Sequence, residues 1–320
     1  MKGVWRGFKI AVGLVLGFPF LVILLPLWVV YRWNEQRSGR EVPLPPWHAI
    51  MPAPVEKSEN KTALLREQDF DPGSGVTPSG VALVTGGGRR LGAVICRELA
   101  RQGFRVGVVY HRNRDAAENL VEEIVQAGGR ACALALDLSN PVQMDHFLRE
   151  AESLLGGVPE LLVNNAALFY PTMVDEPSWE TMSEMMRVNL QGPLWLSLRI
   201  AQRMSEHGGL IINIGDIWGE RPLKGYAAYS VAKAGLLMAT LALARELGPR
   251  VRVNAIAPGA VLPPEETTDS KKDAYRQLLA RTPLAQHADP EAVVLAVRYL
   301  LSAQFVTGEI LHVDGGRRLV

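Results

Sequence analysis

The chain has 320 residues, 48% hydrophobic and 21% charged, with a formal net charge of +1. The near-balance of charge leaves no basic footprint for nucleic acid. Two cysteines, Cys96 and Cys132, without a CxxC pair argue against a disulfide framework or a cysteine zinc site; both lie in apolar stretches and are expected to be core thiols.

The run from Ile10 to Tyr31 carries no charge. As a helix it would be roughly 33 Å long at about 1.5 Å per residue, enough to cross a hydrocarbon core of about 30 Å. Trp5, Trp28, Tyr31 and Trp33 sit near its ends, where interfacial aromatics belong. Pro19 and Pro26 are tolerable in a membrane helix. A cleaved signal peptide needs a small-x-small site, and Tyr31-Arg-Trp-Asn-Glu35 offers none. Residues 1–31 therefore read as a transmembrane anchor. Lys2, Arg6 and Lys9 before it nearly balance Arg32, Arg37 and Arg40 after it, so charge does not set its orientation. Residues 32–79 read as a linker, broken by Pro43, Pro45, Pro46, Pro52, Pro54, Pro72 and Pro78, with a short helical turn around Ala63 to Gln68.

From Val81 short apolar runs alternate with longer helical stretches. The strands expected are Val81–Thr85, Arg105–Tyr110, Ala131–Leu136, Leu161–Asn164, Leu210–Ile214, Arg252–Ile256 and Ile310–Val313. The helices expected are Leu91–Gln102, Ala116–Ala127, Val142–Leu155, Trp179–Met204, Ala227–Leu247 and Glu291–Ser302. Seven apolar strands separated by helices predict an α/β domain over residues 80–320, a Rossmann-type, doubly wound, seven-stranded parallel sheet covered on both faces.

The first strand runs into Thr85-Gly-Gly-Gly-Arg-Arg-Leu-Gly92. Glycines here let the backbone approach a pyrophosphate at a helix N-terminus, which makes Gly86, Arg89, Arg90, Leu91 and Gly92 candidate cofactor contacts. The second strand ends in Tyr110-His-Arg-Asn113. An acidic residue at that strand end would select NAD; Arg112 instead matches the 2′-phosphate of NADPH with its planar fork. His111 and Asn113 flank it. Asp137 and Leu138 close the third strand, where a carboxylate can accept from an adenine amino group. Asn165 and Ala166 follow the fourth; asparagines there also serve turns.

Tyr229 and Lys233 share a helix face at i, i+4. An adjacent ammonium is expected to lower the tyrosine pKa and ready it for proton transfer. Asp216 lies thirteen residues before Tyr229. Ionised, it only accepts hydrogen bonds and suits a ring N–H or amino group; protonated, it can donate. His207 and His287 lie in polar contexts and are expected to be exposed, and His312 to be structural.

These residues resemble the short-chain dehydrogenase/reductase family and, within it, the pteridine reductases, from Val81 to Val320. The family's glycine motif is Thr-Gly-x-x-x-Gly-x-Gly. Arg90 replaces its second glycine, a pteridine-reductase trait in which the arginine reaches cofactor phosphate and substrate. His111-Arg112 resembles that subfamily's NADPH signature, and Asp216 stands where most members carry serine. By resemblance Tyr229, Lys233, Asp216 and Asn189 are catalytic, Asn189 supporting a proton-relay water at the lysine. Phe169 stacks a pterin against the nicotinamide, Arg90 and Asp216 contact the substrate, and Pro258-Gly259 meets the carboxamide. Ala167 replaces a common serine, removing one polar contact.

The resemblance implies an NADPH-dependent reductase of a pterin or dihydrofolate-type C=N bond, with a homotetramer as the expected assembly. The alternatives are a reductase of a carbonyl substrate, such as a 3-oxoacyl thioester or quinone, and a non-catalytic NADPH-binding sensor. Because NADPH is cytosolic, the catalytic domain is expected to face the cytoplasm from a single-pass anchor.

Overall fold

The computed structural model describes residues 80–259, 269–286 and 288–320. The anchor, the linker, its helical turn and His287 lie outside these residues.

Seven strands form one parallel sheet: β1 Val81–Thr85, β2 Arg105–Tyr110, β3 Arg130–Ala135, β4 Pro159–Asn164, β5 Gly209–Ile214, β6 Val251–Pro258 and β7 Ile310–Val313. Their order is β3-β2-β1-β4-β5-β6-β7. The chain winds outward from β1 to β3 and then crosses back to β4. The winding direction therefore reverses between β1 and β4, and a crevice opens at the carboxyl ends of the strands.

Eight α-helices cover the described sheet: α1 Arg90–Arg101, α2 Arg114–Gln126, α3 Met144–Leu155, α4 Trp179–Met186, α5 Gly192–Met204, α6 Ala227–Leu247, α7 Asp269–Ala280 and α8 Pro290–Ser302. On one face Ile95 and Leu99 of α1, Leu120 of α2 and Val297 of α8 close over Val84, Val106 and Leu161. On the other Phe147 and Leu148 of α3, Leu196 and Ile200 of α5 and Leu243 of α6 close over Leu83, Leu162 and Ile211. Burial on both faces is why these strands are apolar runs rather than alternating ones. The helix α6 is long and apolar enough to cross a membrane, but its length is used here to line the core.

Three expectations need correction. The predicted helix Trp179–Met204 is α4 and α5 joined by a π-turn at Arg187–Gln191. That turn contains Asn189, 1% exposed, whose amide bonds the backbone of Leu168 in both directions, with Oδ1 accepting from N–H and Nδ2 donating to C=O at 2.8 Å each. The helix α7 is absent from the helices expected, because Asp269, Lys271, Lys272 and Asp273 in its first half hide any apolar period. Cys96 is buried as expected, but Cys132 is only part-buried, since β3 is an edge strand.

Candidate active site

The glycine turn after β1 is built by close packing. Gly86 has φ +63°, in the left-handed region that favours glycine. A Cβ on Gly92 would lie 2.2 Å from the carbonyl oxygen of Gly86, so only glycine lets α1 start this near the strand. Asn165 braces the turn from the next strand. Its Nδ2 donates to the carbonyls of Thr85 at 2.9 Å and Gly86 at 3.1 Å. The Thr85 hydroxyl in turn accepts from the backbone N–H groups of Asn165 and Ala166. The side chain of Asn165 therefore shapes the turn.

Among the described residues no side chain caps the N-terminus of α1, and a helix start of this kind attracts an anion. Arg90 stands at that start with φ +50°, a conformation that a non-glycine residue adopts at some cost. At the end of β2 Asn113 caps α2, accepting from the N–H of Ala116 at 3.3 Å. His111 and Arg112 are exposed beside it. His111 Nε2 lies 3.8 Å from Asp137 Oδ2. Burial raises the Asp137 pKa, but hydrogen bonds from the Ser139 hydroxyl and N–H, with His111 and Arg112 nearby, carry it below the usual carboxylate value. The uncapped helix, the close-packed turn and the exposed Arg112 beside an ionised Asp137 fit a dinucleotide with an extra phosphate.

Asp216 and Tyr229 meet directly. Tyr229 Oη donates to Asp216 Oδ2 at 2.6 Å. The other oxygen, Oδ1, accepts from the N–H of Trp218 at 2.9 Å, so Asp216 caps the 3₁₀ turn Ile217–Gly219 after β5. Burial raises the Asp216 pKa, and Trp218, Tyr229 and Lys233 only partly oppose this. Tyr229 is raised well above its ordinary value, by burial first and then by the Asp216 charge and hydrogen bond. This corrects the expectation that Lys233 lowers it. The ammonium lies 5.8 Å from the ring centroid and donates to the carbonyl of Ile214 at 2.8 Å. Asp216 is nearer to the hydroxyl and prevails. Burial lowers Lys233 to about 8, against an opposing pull from Asp216.

Phe169 is half exposed and stands beside this pair. Its ring stacks on Tyr226 with centroids 4.6 Å apart at 16°, and meets Tyr229 edge-on at 4.8 Å and 77°. Tyr226 is a site residue that the sequence did not disclose; its only signal was an aromatic three residues before Tyr229, on the helix start. Asn189 is one link away, because it holds Leu168, the neighbour of Phe169. Its two amide N–H groups go to Leu168 and to the Met185 sulfur, so a relay water would have to use its backbone carbonyl. Gly259 approaches β7, its N–H donating to the carbonyl of Val313 at 3.0 Å. His312 contacts Glu220 at 3.0 Å, tying β7 to the segment after Asp216.

A family model described as Enoyl-(Acyl carrier protein) reductase matches residues 87–318. An uncharacterized oxidoreductase of Mycobacterium tuberculosis is 35% identical over 241 residues, covering 74% of this chain and 91% of that protein. A 3-oxoacyl-(acyl-carrier-protein) reductase of Synechocystis is 33% identical, covering 74% and 96%. Among solved structures, FolM alternative dihydrofolate reductase 1 from Brucella canis, complexed with NADP, matches with TM-score 0.70 at 32% identity, over 77% of this chain and 96% of that one. With its seven-stranded parallel sheet and its Tyr229–Lys233 pair, the chain belongs to the short-chain dehydrogenase/reductase family.

Proposed function

We propose that the chain is an NADPH-dependent reductase of a pterin or dihydrofolate-type C=N bond. The observation that carries this is the 2.6 Å bond from Tyr229 to Asp216. A serine at position 216 would donate to a carbonyl oxygen; Asp216 instead accepts, from Tyr229 and from the N–H of Trp218, and an acceptor there pairs with a ring N–H or amino group. The likeness to an alternative dihydrofolate reductase that binds NADP supports the same reading.

NADPH, held by the glycine turn, Arg90 and Arg112, supplies the hydride. Phe169, propped by Tyr226, offers its free face to a flat heterocycle. Such stacking contributes about 0.5–1.5 kcal/mol beyond burial. Lys233 orients the nicotinamide ribose. Tyr229 enters as a phenol, because burial and Asp216 keep its proton on. As hydride reaches carbon, the Tyr229 hydroxyl turns from Asp216 to the ring nitrogen and releases its proton there. Asp216, freed of that bond, accepts from the substrate's N–H. The new C–H and N–H bonds account for one hydride and one proton.

The second reading, a carbonyl reductase, is favoured by the 3-oxoacyl-(acyl-carrier-protein) reductase among the relatives. Asp216→Ser separates the two. The substitution is expected to lower kcat/KM on a dihydropterin by about tenfold or more and to raise it on an acetoacetyl thioester. A loss on both substrates alike would count against the role assigned to Asp216.

The same reading carries the anchor at residues 10–31, with residues 80–320 facing the cytoplasm. Protease should digest the domain in inside-out vesicles, and protection would refute that orientation. Exposed Val231, Met238 and Leu241 share one face of α6, which supports self-association toward the expected homotetramer. Sedimentation in detergent would check this, a monomer counting against it.

A further inference from the structure

Three arginines converge on the catalytic edge of the sheet, on its β7 side. Arg221 lies one turn beyond Asp216, its N–H donating to the carbonyl of Ile217 at 3.0 Å. At about 2 Å of rise per residue for a tight turn, it sits on the order of 10 Å along the chain from Asp216. Its guanidinium Nη1 donates to the carbonyl of Arg317, after β7, at 3.1 Å. Arg317 Nη1 in turn reaches the carbonyl of Arg281, after α7, at 3.4 Å.

No described carboxylate neutralises this group. Glu220 is engaged by His312 at 3.0 Å. The Asp314 oxygens take the N–H groups of Gly316 at 2.9 Å and Arg318 at 2.8 Å. Arg317 Nε is buried with no hydrogen-bond partner among the described residues, and burial together with Arg221 and Arg281 lowers the pKa of that guanidinium. Arg221 and Arg317, both part-buried, hold their guanidinium groups on backbone carbonyls, and with the exposed Arg281 beside Arg317 these like charges gain from an anion that joins them.

We propose that Arg221, Arg281 and Arg317 receive carboxylates on the tail of the substrate, so that the chain prefers a dihydropterin with a glutamate tail to one with a neutral side chain. This rests on the pterin-reductase reading and narrows it. The phosphate of a thioester carrier is the other anionic tail that could reach these residues.

The test compares the full-length chain with Arg221→Gln and Arg317→Gln, singly and together. The substrates are dihydrofolate, dihydrobiopterin and a phosphopantetheine acetoacetyl thioester, with p-aminobenzoylglutamate as a competing tail fragment. The expected result is a fall of about tenfold in the dihydrofolate to dihydrobiopterin ratio of kcat/KM, carried by KM and weakened by salt, with loss of inhibition by the fragment. An unchanged ratio in the double variant would overturn the tail site while leaving the reductase reading intact. Inhibition by the fragment in a chain that reduces no pterin would support the site and overturn the reductase reading. Arginine dependence on the thioester alone would overturn the carboxylate assignment in favour of phosphate.

Discussion

Tyr229 keeps its proton because Asp216 lies at 2.6 Å while the Lys233 ammonium stands 5.8 Å from the ring. That arrangement holds the proton on Tyr229 for as long as the hydroxyl is bonded to Asp216. Tyr229→Phe is expected to cut kcat by about 10²–10⁴-fold, with NADPH affinity, followed by fluorescence, holding within about threefold. A comparable loss of cofactor binding would mean that the hydroxyl holds the dinucleotide rather than the proton. Lys233, lowered to about 8 by burial, gives the pH dependence. Its ammonium is present below that value and lost above it, so the affinity for NADPH should fall as pH rises through about 8. Titrations at pH 7 and pH 9 giving the same Kd would contradict this role. The effect on stability has the opposite sign: the unfolded chain holds this proton to higher pH, so unfolding free energy from this residue rises between about 8 and its ordinary value.

Among the elements, the β1 turn and the π-turn set the geometry. Gly92→Ala places a methyl against the Gly86 carbonyl, so the start of α1 must move. NADPH affinity is expected to fall by about tenfold or more, or the domain to lose about 1–3 kcal/mol of stability, as calorimetry and denaturant unfolding would show. Neither change would mean that the turn is looser than its packing. The five inner strands could be read in the sequence because they are apolar runs packed on both faces, and the edge strands β3 and β7 because they keep short, mostly apolar runs. The i, i+4 spacing of Tyr229 and Lys233 is local and equally plain. The π-turn was hidden, because Asn189 makes it through Leu168, twenty-one residues away. The rise of the Tyr229 pKa is hidden for a related reason: the sequence shows the neighbour four residues off, but burial and the approach of Asp216 depend on the fold.

Across the whole molecule, the parallel sheet brings Arg90, Arg112, Asp137, Phe169, Asp216 and Tyr229 to one edge, although 139 residues separate Arg90 from Tyr229 (229 minus 90). The two apolar clusters, one per face, fix that edge by packing α1, α2 and α8 against one side and α3, α5 and α6 against the other. The arginines at 221, 281 and 317 come from three further segments of the same edge, so substrate choice and proton delivery share one scaffold. The substrate is what distinguishes the two enzymatic readings. NADPH oxidation by the full-length chain should be followed with dihydrobiopterin, dihydrofolate and an acetoacetyl thioester in turn. The kcat/KM on a dihydropterin or dihydrofolate should exceed that on the thioester by about 100-fold. Turnover of the thioester alone would contradict it.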